Sequence, residues 1–124
     1  MRKFLIGAVF VFLIAIGVLD LVFTNKSFNK IEAQVASIDK VLQEDDYDLA
    51  LTKVYDLEKT WQKEMSWMQI FIMYSEIKPI SEKIARLVSL IELKNDEALI
   101  EAGALMIEIK DVHEIYKFSL PNLF

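Results

Sequence analysis

Apolar side chains recur every three or four residues in four runs of the chain, which is the spacing that places them on one face of an α-helix. The spacing holds without a slip in each run, so the chain is predicted to form four amphipathic helices. The runs are Phe28, Ile31, Val35, Ile38 and Leu42; Tyr47, Ala50, Val54, Leu57 and Trp61; Ile77, Ile80, Ile84, Leu87 and Ile91; and Ala98, Ala102, Leu105, Ile109, Val112 and Tyr116.

Two short polar breaks, Glu44–Asp46 and Lys94–Asp96, separate the first run from the second and the third from the fourth. Their Asp and Asn side chains can accept hydrogen bonds from the free N–H groups that begin the next helix. Short connections make antiparallel neighbours. We therefore expect an all-α domain, either a four-helix antiparallel bundle or two stacked helical hairpins of about residues 27–65 and 67–117.

The two breaks lie 50 residues apart, and the hairpins are predicted to be of similar build, as in a weak duplication. A long repeat array would need further copies. The offset superposes Ile38 on Val88, Leu49 on Leu99, and Leu57 on Ile107.

A continuous apolar segment, Phe4–Phe23, precedes the first run and carries one charge, Asp20. At about 1.5 Å per residue it matches the roughly 30 Å of a bilayer's hydrocarbon core, so it is predicted to be a transmembrane helix. None of the residues Thr24–Ser27 forbids a helix, so the first bundle helix can continue this anchor. A signal peptide cut near Gly17 is the competing prediction, but the apolar residues continue beyond that point.

Basic residues flank the anchor on both sides, and their balance favours a cytoplasmic N-terminus. Arg2, Lys3 and the free amino group precede the anchor, whereas Lys26 and Lys30 follow it. The predicted organisation is a cytoplasmic stub at 1–3, a single-pass anchor in the bacterial cytoplasmic membrane at 4–23, and an extracytoplasmic helical domain at 24–124.

The stretch SWMQIFIMYSEIKPI, residues 66–80, joins the two hairpins and is too short to be a second span. Positions 67, 70, 71 and 74 make one helical face that the bundle can bury, whereas Met68, Ile72 and Met73 fall elsewhere around the helix. Adaptable Met-rich surface is common at docking sites, so these three residues are the candidate partner surface.

The limits of the last two helices involve a proline and an apolar tail. Pro79 costs about 3 kcal/mol in a helix interior but is tolerated in a first turn, so the third helix either starts near Ile77 or is kinked. After the fourth run, residues 118–124 carry large apolar side chains that either pack back onto the bundle or form a candidate docking tail. They are Phe118, Leu120, Leu123 and Phe124.

The composition is that of a helical protein without cysteine chemistry. The 124 residues are 54% hydrophobic and include three Gly, two Pro and no Cys, which excludes disulfides, thiolate metal sites and cysteine nucleophiles. Without Arg2 and Lys3, 12 basic residues stand against 19 acidic ones, a net charge of −7 with the signs interspersed. Nucleic acid and broad anionic lipid surfaces are poor partners for this chain.

No pattern predicts catalysis, so no catalytic, cofactor-binding or metal-binding residue is assigned and no cofactor is expected. The single histidine, His113, lacks the glutamate three residues earlier that a di-metal carboxylate bundle requires, because Lys110 stands there. We predict a polar-edge histidine beside Val112. The acidic breaks lack a calcium-loop pattern.

Several local sequences also occur in one known group of proteins: Asp46-Tyr47 with Ala50, Trp61, Tyr74–Ile77, Asn95-Asp96 and Phe118–Phe124. With the N-terminal span, they resemble an uncharacterised bacterial family of short proteins that carry one membrane span and a helical domain. The resemblance covers essentially the whole chain and implies a bacterial envelope protein without an assigned activity. Relatives often carry histidine at the position of Tyr74, so the tyrosine argues against metal chemistry there.

The expected function is therefore a non-enzymatic, membrane-anchored interaction or accessory subunit for a bacterial envelope protein, held in the membrane through Phe4–Phe23. Two alternatives stay open. One is an extracytoplasmic sensor or binding module for a small apolar ligand lodged between Trp61, Trp67 and the third helix. The other is a self-associating scaffold, a homo-oligomer, because uninterrupted heptad runs can also pair between chains.

Overall fold

The computed structural model describes residues 2–69, 72 and 74–123, with side chains except at 20, 21, 23, 24, 67 and 117–123. The described residues form four helices and no strand, which confirms the predicted all-α class. The helices are α1 (Arg2–Gln43), α2 (Tyr47–Met68), α3 (Tyr74–Glu92) and α4 (Glu97–Leu123).

The helices form a ring in which each packs against two neighbours. α1 contacts α2 and α4, and α3 contacts the same two helices. Side-chain bonds between α1 and α2 join Ser27 to Glu64 and Gln34 to Thr60, so residue numbers rise on one helix as they fall on the other. This arrangement is the four-helix antiparallel bundle.

The core of the bundle is built from the predicted runs. Every member of the four runs is buried except Tyr47, which is partly buried and packs against the core. The 3-4 spacing therefore identified the buried face of each helix correctly. Four residues outside the runs complete the core: Val41, Met68, Ile72 and Val88.

α1 is uninterrupted from the apolar segment into the bundle. Its window Arg2–Leu19 has a mean hydropathy of 2.2 and contains no buried residue, so this helix is long and apolar enough to cross a membrane. From Phe28 to Leu42 the same helix buries one stripe in the core. The apolar segment thus continues directly into the first bundle helix.

The turn between α1 and α2 is a helix C-cap followed at once by an N-cap. Asp45 and Asp46 donate from N–H to the carbonyls of Leu42 and Val41 at 3.1 and 3.2 Å, and Asp45 has a left-handed φ of 58°. This is the Schellman arrangement, which satisfies the last carbonyls of a helix. The Asp46 carboxylate then accepts from the N–H of Leu49 at 3.1 Å and caps α2.

The turn between α3 and α4 repeats this geometry. Lys94 takes the left-handed position with φ 52°, and its N–H donates to the Ile91 carbonyl at 3.0 Å. Asn95 donates to the Leu90 carbonyl at 2.9 Å, and its side chain accepts from the Glu97 N–H at 2.9 Å. The two hairpins therefore share their turn chemistry.

The register between the hairpins differs from the predicted offset. Lys94 is the structural equivalent of Asp45, which places the turns 49 rather than 50 residues apart. The predicted superposition of Leu57 on Ile107 is wrong, because Leu57 is fully buried and Ile107 is 64% exposed. The other two predicted pairs match in burial, because Ile38 and Val88 are both buried and Leu49 and Leu99 are both exposed.

Of the two predicted limits of α3, the structure has the longer helix. Its first residue is Tyr74 rather than a residue near Ile77, and Pro79 lies in its second turn. Pro79 has no N–H to donate to the Ser75 carbonyl. Ser75 lies on the exposed side of the helix, where water can bind this carbonyl.

We expect Lys94→Gly to stabilise the fold, because a residue with a β-carbon is disfavoured by about 1 kcal/mol in the left-handed region that glycine adopts freely. The free energy of unfolding of the full chain in detergent, followed by circular dichroism, should rise by about 0.5–1 kcal/mol. Lys94→Ala removes the same side chain but keeps the β-carbon, and should give no such gain. Equal stability of the two variants would contradict the assigned cap.

Candidate functional site

The end of the bundle where the apolar segment of α1 leaves it, called here the junction end, collects the features that sequence patterns flagged. Because the helices alternate in direction, α2 and α4 finish at this end and α3 starts there. Met68 and Ile72 of the candidate surface belong to it, as does the end of α4. So does the single histidine, which faces residues at the start of the bundle part of α1.

His113 is buried between α4 and α1, so the prediction of a polar-edge histidine is wrong. Its ring stacks on that of Phe28, with centroids 4.7 Å apart and planes 14° from parallel. Nε2 donates to the Asn25 side-chain oxygen at 2.5 Å, and Nδ1 lies 3.6 Å from a Glu32 carboxylate oxygen. Both ring nitrogens thus face oxygen atoms of α1, and the histidine joins α4 to α1.

A serine joins α1 to α2 at the same level. Ser27 is buried, and its hydroxyl donates to the Glu64 carboxylate at 2.7 Å. About two turns further along α1, the Gln34 amide donates to the Thr60 hydroxyl at 3.0 Å. Buried polar groups need such partners because an unpaired one costs about 1–3 kcal/mol. The polar groups near the junction end therefore fix how α1 sits against both neighbours.

The spacing of His113 indicates a core position, although its polar side chain led to the prediction of an exposed edge. It lies four residues after Ile109 and three before Tyr116, which is the spacing of a core position. The same reasoning applies to Ser27, which precedes the first core residue, Phe28. Polar residues at the edge of an apolar stripe are candidates for buried hydrogen bonds.

The candidate partner surface is corrected by the structure. Met68 is 0% and Ile72 is 7% exposed, so the prediction that they form a surface is wrong; Met73 lies outside the described residues. The reason is that the buried stripe of α2 continues at 3-4 spacing from Trp61 through Met65 to Met68 and Ile72. The Ile72 N–H donates to the Met68 carbonyl at 2.8 Å, which extends the helical bonding past the end of α2.

The joining stretch also departs from the predicted buried face at Tyr74. Tyr74 was expected in the core and is exposed. Residues 70 and 71 and the side chain of Trp67 lie outside the described parts of the chain. Among the described side chains of the stretch, Met68 and Ile72 are buried and Tyr74 is not.

Trp61, expected at a site for an apolar ligand, is a core residue. Its indole N–H donates to the Ser81 hydroxyl at 2.7 Å, and that hydroxyl lies 3.4 Å from the Met65 sulfur. The side chain is buried among the core residues. Trp61 therefore joins α2 to α3 and offers no free surface to a ligand.

The candidate docking tail stays a prediction. α4 continues to Leu123, so residues 118–123 extend the helix instead of following it as expected. The side chains of Phe118, Leu120 and Leu123, and all of Phe124, lie outside the described residues.

Ionisable groups elsewhere on the bundle form isolated contacts between helices. Arg86 Nε lies 3.3 Å from a Glu101 carboxylate oxygen. The Tyr55 hydroxyl donates to Glu92 at 2.9 Å, and this hydrogen bond to a carboxylate raises the pKa of Tyr55 above its ordinary value. Within the described residues, no three His, Asp or Glu side chains are grouped so that they could hold a metal ion.

Comparison with known proteins identifies a family without assigning an activity. The family described as "Domain of unknown function (DUF4363)" matches residues 20–123. No curated protein and no solved structure matches the chain.

Removing the oxygen that His113 donates to should destabilise the bundle in a way that depends on the histidine. Asn25→Ala is expected to lower the free energy of unfolding by about 1–3 kcal/mol, because the ring N–H loses its buried acceptor. In a His113→Phe background the same change should cost much less, since no donor remains there. Thermal unfolding of the full chain in detergent gives both values. Equal costs in the two backgrounds would contradict the assigned bond.

Proposed function

We propose that this chain, which belongs to the DUF4363 family, is a single-pass membrane protein whose bundle lies outside the cytoplasm of a bacterium. There it serves as an interaction or accessory subunit for another envelope protein. One observation carries the proposal: α1 is a single helix that exposes an apolar segment long enough to span a bilayer and then buries a stripe in the bundle. Arg2 and Lys3 at its start favour a cytoplasmic N-terminus.

The continuity of α1 restricts the partner. A bundle on a flexible linker can search a wide volume, whereas a bundle on a helix is held at a fixed height. The part of α1 from residue 24 to residue 43 is about 30 Å long at 1.5 Å per residue. The bundle therefore reaches only surfaces within about that distance of the membrane, which favours an integral or membrane-attached partner.

The charge of the bundle supports a protein partner rather than the lipid surface. Beyond the first three residues the chain carries a net charge of −7, and anionic lipid headgroups repel such a surface. The bundle should then stand upright on its anchor, with its sides available to a neighbour.

Crosslinking in intact cells tests this function directly. The chain has no native cysteine, so single cysteines at exposed positions of three helices, Lys40, Lys59 and Ala85, can each carry an impermeant photoreactive maleimide. We expect labelling from outside the cell and at least one adduct with a membrane protein.

The matched control is the same cysteine variant with a flexible Gly-Ser linker inserted between Phe23 and Thr24. The linker releases the fixed height of the bundle, so the adduct should be lost or much reduced. Recovery of monomer alone, under conditions that trap known neighbours, would contradict the accessory-subunit proposal. Labelling only after cell lysis would contradict the orientation.

A further inference from the structure

α4 carries apolar residues on the side that points away from the bundle. Ile100 and Ile107 are 75% and 64% exposed, whereas Ala102, Leu105 and Ile109 of the same helix are buried. Gly103 lies between the two isoleucines, three residues after the first and four before the second. Residues at these spacings share one helix face.

The surface formed by Ile100, Gly103, Ala104 and Ile107, called here the α4 strip, has the shape of a notch between two ridges. Apart from its chain neighbours and the nearby backbone of α4, no atom lies within 4 Å of the position that a β-carbon on Gly103 would occupy, so the notch has room for a partner's side chain. The α4 strip extends for about 10 Å along the helix, from Ile100 to Ile107. A single exposed isoleucine is ordinary, but two that flank small residues on one face make a continuous apolar surface.

Acidic residues stand at both ends of the α4 strip. Asp96 and Glu97 precede it, and Asp111 and Glu114 follow it at spacings that keep them on the same side of the helix. Among the described exposed positions from 96 to 114, Lys110 is the one basic residue. The strip therefore combines an apolar centre with a negative rim.

We propose that the α4 strip binds an amphipathic helix of a partner protein, whose apolar side chains enter the notch at Gly103 and whose Lys or Arg residues pair with the acidic rim. This assignment rests on the proposed function and names the chemistry of its partner. Apolar anchors in a small-residue notch supply affinity, and complementary charges supply orientation and association rate.

A second copy of this chain fits the α4 strip poorly. Copies anchored by α1 in one membrane point the same way, so two strips could meet only in parallel. That places Asp96 and Glu97 of one copy beside the same residues of the other, and like charges in contact oppose association. A basic helix meets no such penalty.

Binding is measured with the full chain in nanodiscs of zwitterionic lipid and two labelled helical peptides, with empty nanodiscs as the blank. Both peptides carry the same leucine face; lysines flank it in one and glutamates in the other. Fluorescence anisotropy should show the lysine peptide binding at least about tenfold more tightly, and added salt should reduce the difference.

Gly103→Leu separates docking from folding. Leucine fills the notch, so the lysine peptide should bind at least about tenfold more weakly. The melting temperature should stay equal or rise, because leucine is a better helix former than glycine and its β-carbon meets no atom of another helix. Ile107→Ser should also weaken binding, whereas Leu93→Ser, which changes an apolar residue that is 76% exposed beyond the end of α3, should not.

Three results would overturn the assignment: equal binding of the two peptides or none at all, unchanged binding to Gly103→Leu, or a dimer in sedimentation that Gly103→Leu abolishes. The last would make a second copy the occupant. Crosslinks from other faces of the bundle, with these binding results negative, would remove the α4 strip and leave the accessory-subunit proposal in place.

Discussion

The constraint on which the structure depends is that one helix, α1, serves two environments along an unbroken backbone. Its first part exposes apolar side chains all around, and its second part buries a single stripe between Phe28 and Leu42. A helix satisfies its own backbone hydrogen bonds, so it can pass from lipid into a protein core without leaving an unpaired group. In the proposed membrane setting, the direction in which that stripe points fixes where the other three helices stand.

The polar groups at the junction end hold this arrangement in register. His113 packs on Phe28 and bonds to Asn25, which joins α4 to α1, while Ser27 and Glu64 join α2 to α1. An apolar core alone tolerates sliding of helices better than a core with directional bonds, because a slipped register leaves buried donors and acceptors unpaired. These bonds therefore fix α2 and α4 against α1 close to the point where the apolar segment of α1 leaves the bundle.

Periodicity predicted the fold and nearly all of the core, because 3-4 spacing reports directly which side of each helix is buried. It failed where a segment is apolar on every side. Met68 and Ile72 lie in such a segment, and only their spacing from Trp61 marks them as core. On α4, spacing alone does not distinguish exposed apolar residues that bind a partner, as proposed for Ile100, from exposed apolar residues that bind nothing. The predicted partner surface lay in the joining stretch, whereas the proposed one lies on α4. The two differ because the exposure of a side chain depends on how the helices pack.

The continuity of α1 is tested most directly by a distance measured across the junction. Spin labels at Val18→Cys and Lys40→Cys, both exposed positions, are separated by 22 residues, or about 33 Å in an unbroken helix. Pulsed electron paramagnetic resonance of the full chain in nanodiscs should give a narrow distribution centred near that distance. A broad distribution, or one shifted to shorter distances, would show a hinge between the anchor segment and the bundle and would contradict the account.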